Sequence, residues 1–284
     1  MGARNLGVGL AIGVVMAAGM ALSPSVAVAQ GNVSFGEDSS LSAHIGLRGG
    51  LNGVAGWGFD NDATVLDRDG QEYSFPMPQQ NPWVYPEYYG HFGLGGSGGL
   101  TLEFRHRSIV GFETGAFISR DRASGYVDKR QAGTGTVIAR IESEQETTSV
   151  RIPLMLKAMI PTPTIRPYVS AGVEVVVQTS SDLSYTQDRQ AGSYGTESDM
   201  DELNRRNQIE TSTYPLLAGT LGAEISAGSA VSIPIELRFG WNLGHSRDME
   251  ERATYRPDSN EIIYDGQYAG HFGIYTGVTY RFDL

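Results

Sequence analysis

The sequence predicts an all-β fold, an eight-stranded antiparallel up-and-down transmembrane β-barrel with four long loops on one rim. Three observations lead to this prediction. Apolar and polar residues alternate with period two, the period of a strand, in eight segments of the chain. The connections between these segments are alternately short and long. Beyond residue 30, no apolar stretch is long enough for a membrane-spanning helix.

An export signal is predicted at the start of the 284-residue chain. Arg4 precedes an apolar run from Leu6 to Leu22, which is shorter than a membrane anchor requires. Ala27-Val28-Ala29 then supplies the small residues of a cleavage site. The predicted organisation is a signal peptide at 1–29, a short N-terminal segment at 30–40 and a barrel at 41–284.

The eight alternating segments account for most of the predicted barrel. They lie at residues 41–52, 92–105, 109–119, 148–160, 165–178, 214–226, 231–244 and 268–282. Short connections fall at 105–109, 161–164 and 227–230, and long ones at 53–91, 120–147, 179–213 and 245–267. An even number of antiparallel strands with short turns at one rim and long loops at the other is typical of bacterial outer-membrane barrels. The pattern defines the strand number to within two.

The polar face of these segments indicates which side of the wall faces inward. A soluble barrel would place its apolar face inside, but here the polar face sets long charged side chains among glycines, which suits a crowded lumen. An eight-stranded barrel leaves just enough interior for side chains to fill. We expect Arg105 to pair with Glu103 or Glu113. The predicted lumen charge network consists of Arg48, Glu103, Arg105, Glu113, Arg151, Lys157, Arg166, Glu174, Glu224, Glu236, Arg238 and Arg281.

Aromatic residues fall at both ends of the apolar face, as expected where a barrel meets the two lipid headgroup layers. The girdle predicted near the short turns contains Phe104, Phe112, Tyr280 and Phe282. The girdle predicted near the long loops contains Phe92, Trp241 and Phe272.

Composition excludes several classes of function. The formal net charge is −11, so the basic surface that binds nucleic acid is absent. With no cysteine, the chain offers neither disulfides nor a thiolate metal site. Acidic clusters at 60–69 and 199–202 carry oxygen ligands for Ca²⁺, but neither completes a known calcium loop and a solvated acidic surface explains both. No metal site and no cofactor are predicted, and calcium binding by the loops stays open.

Catalytic motifs are weak. The glycine-rich run 93–99 lacks the Gly-Lys-Ser/Thr ending of a phosphate loop and matches a lumen face of small residues. His245 and Ser246, with Glu250 or Glu251, are similar to the residue types of barrel-embedded lipid A deacylases. Adjacent residues on a strand point to opposite faces, so this pair does not converge on one bond without a bend. We therefore predict no enzyme activity and no catalytic residue.

Two stretches carry a family resemblance. Residues 151–157 (RIPLMLK) and the run from Arg166-Pro167-Tyr168-Val169 to Ala171-Gly172-Val173-Glu174 resemble the central hairpin of the outer-membrane β-barrel domain of PorT-like and OmpX/OmpA-like proteins. The resemblance implies a porin-like barrel in the cell envelope of a Gram-negative bacterium. It also implies that the final strand is presented to the outer-membrane insertion machinery, although this chain ends in Phe282-Asp283-Leu284 rather than in an aromatic residue.

The expected function is that of a non-enzymatic outer-membrane protein with a plugged polar lumen, acidic extracellular loops and both termini in the periplasm. Its role would be structural, adhesive or another surface interaction. Expected partners are outer-membrane lipid, lipopolysaccharide, the insertion machinery and an extracellular partner of the long loops, with no nucleic acid. The alternatives are a small-solute channel and a lipid-modifying barrel enzyme.

Overall fold

A computed structural model describes residues 41–56, 65–66, 72–73, 83–84, 91–131, 137–187, 201, 204–205, 207–245, 253–256 and 261–284. The predicted signal peptide and the segment 30–40 lie outside the described residues. Among the residues described, no helix is long and apolar enough to cross a bilayer.

Eight long strands dominate this part of the chain. They are β1 (Leu41–Ala55), β5 (Phe92–His106), β6 (Val110–Gln131), β7 (Val137–Met159), β8 (Ile165–Gln187), β10 (Thr213–Ser226), β11 (Val231–Trp241) and β14 (Gly270–Asp283). Six short strands lie in the connections: β2 (Val65–Leu66), β3 (Glu72–Tyr73), β4 (Trp83–Val84), β9 (Asn207–Glu210), β12 (Ala253–Arg256) and β13 (Glu261–Asp265).

The long strands close into a barrel. Each pairs antiparallel with the next long strand along the chain, in the order β1, β5, β6, β7, β8, β10, β11 and β14. The ring closes where β14 pairs with β1, with Gly277 opposite Arg48. The predicted eight-stranded antiparallel up-and-down barrel is therefore confirmed. Closure gives every strand of the wall two neighbours, which satisfies its backbone groups without water.

Short turns join the strands at one end of the barrel, which we call the short-turn rim. The turn between β5 and β6 places Arg107 and Ser108 at φ of 50° and 53°. Two successive residues with positive φ twist the hairpin in the same sense as its strands. The turns at 160–164 and 227–230 lie at the same end. The opposite end, where the longer connections leave the barrel, is the long-loop rim.

Strands β6, β7 and β8 continue far beyond their predicted ends, towards the long-loop rim. The stretch 120–147, expected to be a long loop, is largely the continued pairing of β6 with β7 through Asp128 and Lys129. Likewise, β8 continues from the predicted end at 178 to Gln187. The outward positions there change from Ile118 to charged residues such as Arg120, so the apolar alternation stops while the hydrogen-bond ladder does not. The predicted long loop at 120–147 is therefore wrong, and the predicted loop at 179–213 is wrong over residues 179–187, which belong to β8.

The outer surface of the barrel is apolar and its interior is polar. Outward side chains such as Ile118, Leu156 and Leu47 are more than 60% exposed. Large apolar residues rarely occur in such numbers on a surface that meets water. Charged side chains instead fill the inside of the wall. This is the arrangement of a barrel whose exterior lies in hydrocarbon.

Candidate functional site

Ten charged side chains of the barrel lumen contact one another, and none of them is more than 4% exposed. Strict alternation along each strand turns these residues inward while their apolar neighbours face outward. We call them the ion network. Its members are Arg48, Glu103, Arg105, Glu113, Arg151, Lys157, Glu174, Glu224, Glu236 and Arg238.

The part of the network nearest the short-turn rim is built around Arg105. Its guanidinium donates to Glu103 at 2.6 Å and to Glu224 at 2.8 Å. The Lys157 ammonium donates to the same two carboxylates at 3.1 and 2.9 Å and lies 3.8 Å from the centre of the Tyr168 ring. Two cations therefore share two carboxylates, and a cation–π contact adds to their stabilisation.

The middle of the network repeats this two-by-two arrangement. Arg48 donates to both oxygens of Glu113 at 3.0 and 2.8 Å, and to Glu236 at 2.9 Å. Arg238 donates to Glu236 at 2.9 Å and to Glu113 at 3.2 Å. The Tyr168 hydroxyl donates to Glu236 at 2.7 Å. Charge-assisted and bidentate bonds of this kind are the strong ones.

Bridging contacts join the parts into one network. Lys157 Nζ lies 3.9 Å from Glu113, which links the first four groups to the middle four. Arg238 Nη1 lies 3.5 Å from Glu174, and Glu174 accepts a 2.7 Å bond from Arg151. Among the described residues, five basic and five acidic groups thus form a single balanced network across the lumen.

The absence of a side chain at Gly222 makes room for the Tyr168 ring. A Cβ on Gly222 would lie 2.5 Å from the Tyr168 ring and 2.9 Å from the Ile235 carbonyl oxygen. Glycine at this position lets the Tyr168 ring pass over the inner face of β10 to reach Glu236 on β11. The hydrogen bond from Tyr168 to Glu236 therefore depends on glycine at position 222.

Two of the twelve predicted network residues do not join the network. Arg166 is half-buried and donates to the backbone oxygen of Thr162 at 3.1 Å. Arg281 donates to Asp283 at 2.7 Å. Both lie at the short-turn rim, where the strands end. Alternation along the strands identifies the inward-facing residues correctly. It does not show which of them lie at the rim and which lie in the middle of the lumen.

A polar layer lies above the network, toward the long-loop rim. The carboxylate of Asp121 accepts bonds from Ser119 at 2.7 Å and from Asn52 at 3.3 Å. The Asn52 side-chain oxygen accepts bonds from Tyr275 at 2.5 Å and from Ser97 at 3.0 Å. Sequence reasoning missed Asp121 because it assigned residue 120 onward to a loop. The signal was the parity of Phe117, Ser119 and Asp121, which continues the inward face of β6.

Residues 266–269, which we call the mouth segment, cross the barrel above that layer. The carbonyl oxygen of Gly266 accepts bonds from Gln145 at 2.9 Å and from Gln178 at 2.6 Å. The backbone of Ala269 donates to Ala55 at 2.9 Å and accepts from Asn242 at 2.8 Å. The segment is thereby attached to β1, β7 and β8 and to the residue that follows β11.

Tyr268 of the mouth segment projects inward and is 1% exposed. Its hydroxyl donates to Thr147 at 3.2 Å, and its ring meets the His271 ring edge-on at 5.6 Å between centroids. Burial raises the pKa of this phenol, and the negative charge of Asp121 raises it further. The ring therefore caps the polar layer from the long-loop side.

The residues of the two predicted aromatic girdles all lie on the outer surface, at least 40% exposed. At the short-turn end, the rings of Tyr280 and Phe282 meet edge-on at 4.8 Å between centroids. At the opposite end, Phe92 and Phe272 stack at 6.0 Å. Trp241 ends β11 at that same rim, and Phe104 lies opposite Phe112 at the short-turn end.

The other residues weighed as functional are only partly described. Of the acidic clusters, Asp60, Asp62, Asp67, Asp69, Asp199 and Glu202 lie outside the described residues, as do Ser246, Glu250 and Glu251 beside His245. The glycine-rich run 93–99 lies within strand β5. In the described part of the chain, no three acidic or histidine side chains are grouped to hold a metal ion.

Comparison with known proteins finds solved structures that are similar to this chain at low sequence identity. No protein-family model matches the chain, and no curated protein matches its sequence. The outer membrane protein OprG from Pseudomonas aeruginosa is 13% identical, with a TM-score of 0.34 over 87% of this chain and 99% of OprG. Neisserial surface protein A is 8% identical, with a TM-score of 0.33 over 87% and 98%.

A third similar structure is Ail, the attachment invasion locus protein of Yersinia pestis, solved with the heparin analogue sucrose octasulfate. It is 9% identical, with a TM-score of 0.30 over 84% of this chain and 99% of Ail. Likenesses this distant do not assign a function to the chain.

Proposed function

We propose that this chain is a non-enzymatic outer-membrane barrel that anchors surface segments and whose lumen is closed to solutes. The observation that carries the proposal is the ion network: ten buried charges, joined by ion pairs, span the interior of an eight-stranded wall. A wall of eight strands encloses little more than the volume of its own side chains. A solute would have to separate buried ion pairs in order to pass.

The cost of opening the network favours an anchor over a channel. Removing one partner of a buried ion pair leaves an uncompensated charge and costs about 3–5 kcal/mol. Lys157 and Arg105 each contact both Glu103 and Glu224, so moving either cation disturbs two pairs. Thermal opening wide enough for a solute would disturb several such pairs together.

The apolar exterior supports placement in a membrane, and its edges support an orientation. On β6 and β7, the outward face changes from apolar Ile118 to exposed ion pairs of Arg120 with Glu146 and Arg122 with Glu144. Charged pairs belong beside headgroups or in water. We place this end and the long connections outside the cell, and the short turns with both chain termini on the periplasmic side.

The proposed partners follow from this orientation. The apolar belt contacts outer-membrane lipid, and the charged ends of β6 and β7 reach the headgroup layer of lipopolysaccharide. Strand β14 completes the ring against β1, so it is the strand that we propose the insertion machinery recognises. An extracellular partner would meet the long connections.

Two measurements on the same protein test the function. The refolded protein is added to a planar bilayer, and lipid A from cells expressing it is analysed by mass spectrometry. We expect no stepwise conductance and no change in lipid A mass. Stepwise conductance would favour the small-solute channel instead, and an altered lipid A mass would favour a lipid-modifying enzyme.

A further inference from the structure

A groove opens on the outer surface of the barrel near the long-loop rim, where strands β8, β10, β11, β14 and β1 lie side by side. Its volume is about 520 Å³, within the range of about 300–1,000 Å³ that is usual for small-molecule sites. The side chains of Leu217, Phe239 and Trp241 line it, and each is at least 43% exposed. None of its lining residues in the described part of the chain belongs to the ion network. The groove is therefore part of the apolar belt and not of the lumen.

Small side chains form the floor of this groove. Gly219 of β10 pairs with Ala171 of β8, and both residues face outward. The outward neighbours of Gly219 on its own strand are Leu217 and Leu221, which are 56% and 55% exposed. A Cβ on Gly219 would meet only the Ser170 backbone oxygen, at 3.6 Å. The outer surface is therefore lowered here by about the depth of one side chain.

The aromatic walls are held beside the floor by contacts of their own. Phe272 lies over Gly53, where a Cβ would overlap its ring, and it stacks with Phe92 at 6.0 Å between centroids. The Trp241 ring lies beside Gly270, where a Cβ would meet it at 3.8 Å. These contacts direct both rings toward β14 and β1 and away from β10. The groove is therefore preformed.

The chemistry of the lining matches a hydrocarbon chain. Among the described residues that line the groove, His271 is the only ionisable one, and it is 4% exposed. Its Nε2 atom lies 3.2 Å from the Tyr214 hydroxyl, which is also buried. A ligand in the groove thus meets apolar atoms on several sides, and the dispersion contacts add up. A second barrel has a convex outer surface and does not enter a depression of this depth, whereas a flexible acyl chain does.

We propose that this groove binds one acyl chain of lipopolysaccharide. Trp241 is the last residue of β11 and Gly270 is the first of β14, so the groove lies within reach of the lipids at the long-loop rim. That these lipids form the outer leaflet, which contains lipopolysaccharide, rests on the proposed orientation. Because the groove is continuous with the lipid-facing belt, the chain enters it sideways from the bilayer. The inference goes beyond the anchor function, since it assigns the barrel a lipid that stays bound when the membrane is dissolved.

Filling the groove tests the site. Gly219→Leu places a side chain on the floor. Gly98→Leu is the matched control, because Gly98 is an outward glycine of β5 where a Cβ would meet only the Arg48 backbone oxygen, at 3.6 Å. Each refolded full-length protein is mixed in detergent with an equimolar amount of lipid A, and native mass spectrometry counts the lipids that it retains. We expect the natural chain and Gly98→Leu to retain a single lipid A, and Gly219→Leu to lose it.

Fluorescence shows where the chain lies. The protein has three tryptophans, so replacing Trp57 and Trp83 by phenylalanine leaves Trp241 as the only indole. Lipid A with brominated acyl chains is added at low mole fraction to phospholipid vesicles that contain this protein. It should quench Trp241 more strongly than brominated phosphatidylethanolamine does at the same mole fraction. Gly219→Leu in the same background should remove the difference.

Three outcomes would overturn the proposal. Equal retention of lipid A by Gly219→Leu and the natural chain would exclude the groove, and equal loss in both leucine variants would assign retention to the belt as a whole. Stronger quenching by phosphatidylethanolamine would exclude lipopolysaccharide as the source of the chain. Heat-modifiable gel mobility verifies folding. If Gly219→Leu does not fold, Ala171→Leu fills the groove from β8, with Ala116→Leu on the outward face of β6 as its control, and the same outcomes decide.

Retention of lipid A does not depend on whether the lumen is closed. A barrel that conducts but retains lipid A through the groove would contradict the anchor function alone. A barrel that does not conduct and retains no lipid A would contradict the groove alone.

Discussion

The Arg48 guanidinium and the Glu113 carboxylate form a bidentate pair, at 3.0 and 2.8 Å, between strands that are not neighbours in the barrel wall. Strand β5 separates β1, which carries Arg48, from β6, which carries Glu113. The pair therefore reaches over the inner face of β5 rather than joining residues that are paired in the hydrogen-bond ladder. Contacts of this kind connect separate parts of the wall and fill the space between them.

Removal of one carboxylate from the network should destabilise the barrel strongly. Glu224→Ala leaves both Arg105 and Lys157 with one buried partner fewer, so we expect a loss of about 3–5 kcal/mol in the free energy of unfolding. Urea unfolding followed by heat-modifiable mobility measures it.

Asp283→Ala is the matched control, because it removes the Asp283 carboxylate, which is 66% exposed and pairs with Arg281. Exposed pairs contribute about 0–1 kcal/mol. Similar small losses in both variants would indicate a hydrated lumen and would favour the channel.

The outward face should reject charge within the apolar belt. Leu156 is 66% exposed in the middle of β7's lipid-facing row. Leu156→Arg should lower the free energy of unfolding in lipid vesicles by about 2–4 kcal/mol. Ser180→Arg, on the outward face of β8 beyond the belt, should leave it nearly unchanged. Equal effects at the two positions would place the membrane elsewhere on the barrel.

Substitution by alanine should destabilise the barrel at an inward-facing glycine but not at an outward-facing one. Gly222→Ala brings a Cβ within 2.5 Å of the Tyr168 ring, so we expect overpacking that costs about 1–3 kcal/mol. Gly219→Ala meets only the Ser170 oxygen at 3.6 Å and should be close to neutral. Chemical denaturation compares the two. If Gly219→Ala were the more damaging variant, the assigned faces of β10 would be inverted.

Cysteine labelling at the two ends of β8 tests the proposed orientation of the barrel in the membrane. Thr164→Cys lies in the turn before β8 and Ser184→Cys lies near the other end of that strand, both at exposed positions. A maleimide too large for outer-membrane pores should label only Ser184→Cys on intact cells. Permeabilised cells should show labelling of both. Labelling of Thr164→Cys alone on intact cells would reverse the proposed orientation.

Period-two alternation predicted the wall because each strand has one face in hydrocarbon and one in the lumen. The run from Val231 to Trp241 illustrates this, since its apolar residues are outward and its Glu236 and Arg238 are buried. The same rule failed beyond Ile118, where the outward residues Arg120 and Arg122 are charged and the inward residues Ser119 and Asp121 are also polar. The alternation of apolar and polar residues identifies the part of a strand that contacts lipid. It does not predict the part of the strand that extends beyond the membrane.

Pairing within the lumen was predictable only along a strand. The expected contact of Arg105 with Glu103 is present at 2.6 Å, because residues two apart on a strand share a face. The contact of Arg48 with Glu113 depends on how the ring closes and how the strands are staggered. The alternation within a single segment gives no information about how the ring closes or how far neighbouring strands are staggered. For the same reason, nothing in the sequence indicated that Tyr268 would cap Asp121.

A double-mutant cycle on Arg48 and Glu113 tests the ion network most directly. The free energies of unfolding of Arg48→Met, Glu113→Gln, the double variant and the natural chain give the coupling between the two side chains. We predict a coupling of about 1.5 kcal/mol or more, as expected for a close, desolvated charge pair. A coupling near zero would show that the two groups are separated by water, which contradicts a lumen closed by buried ion pairs.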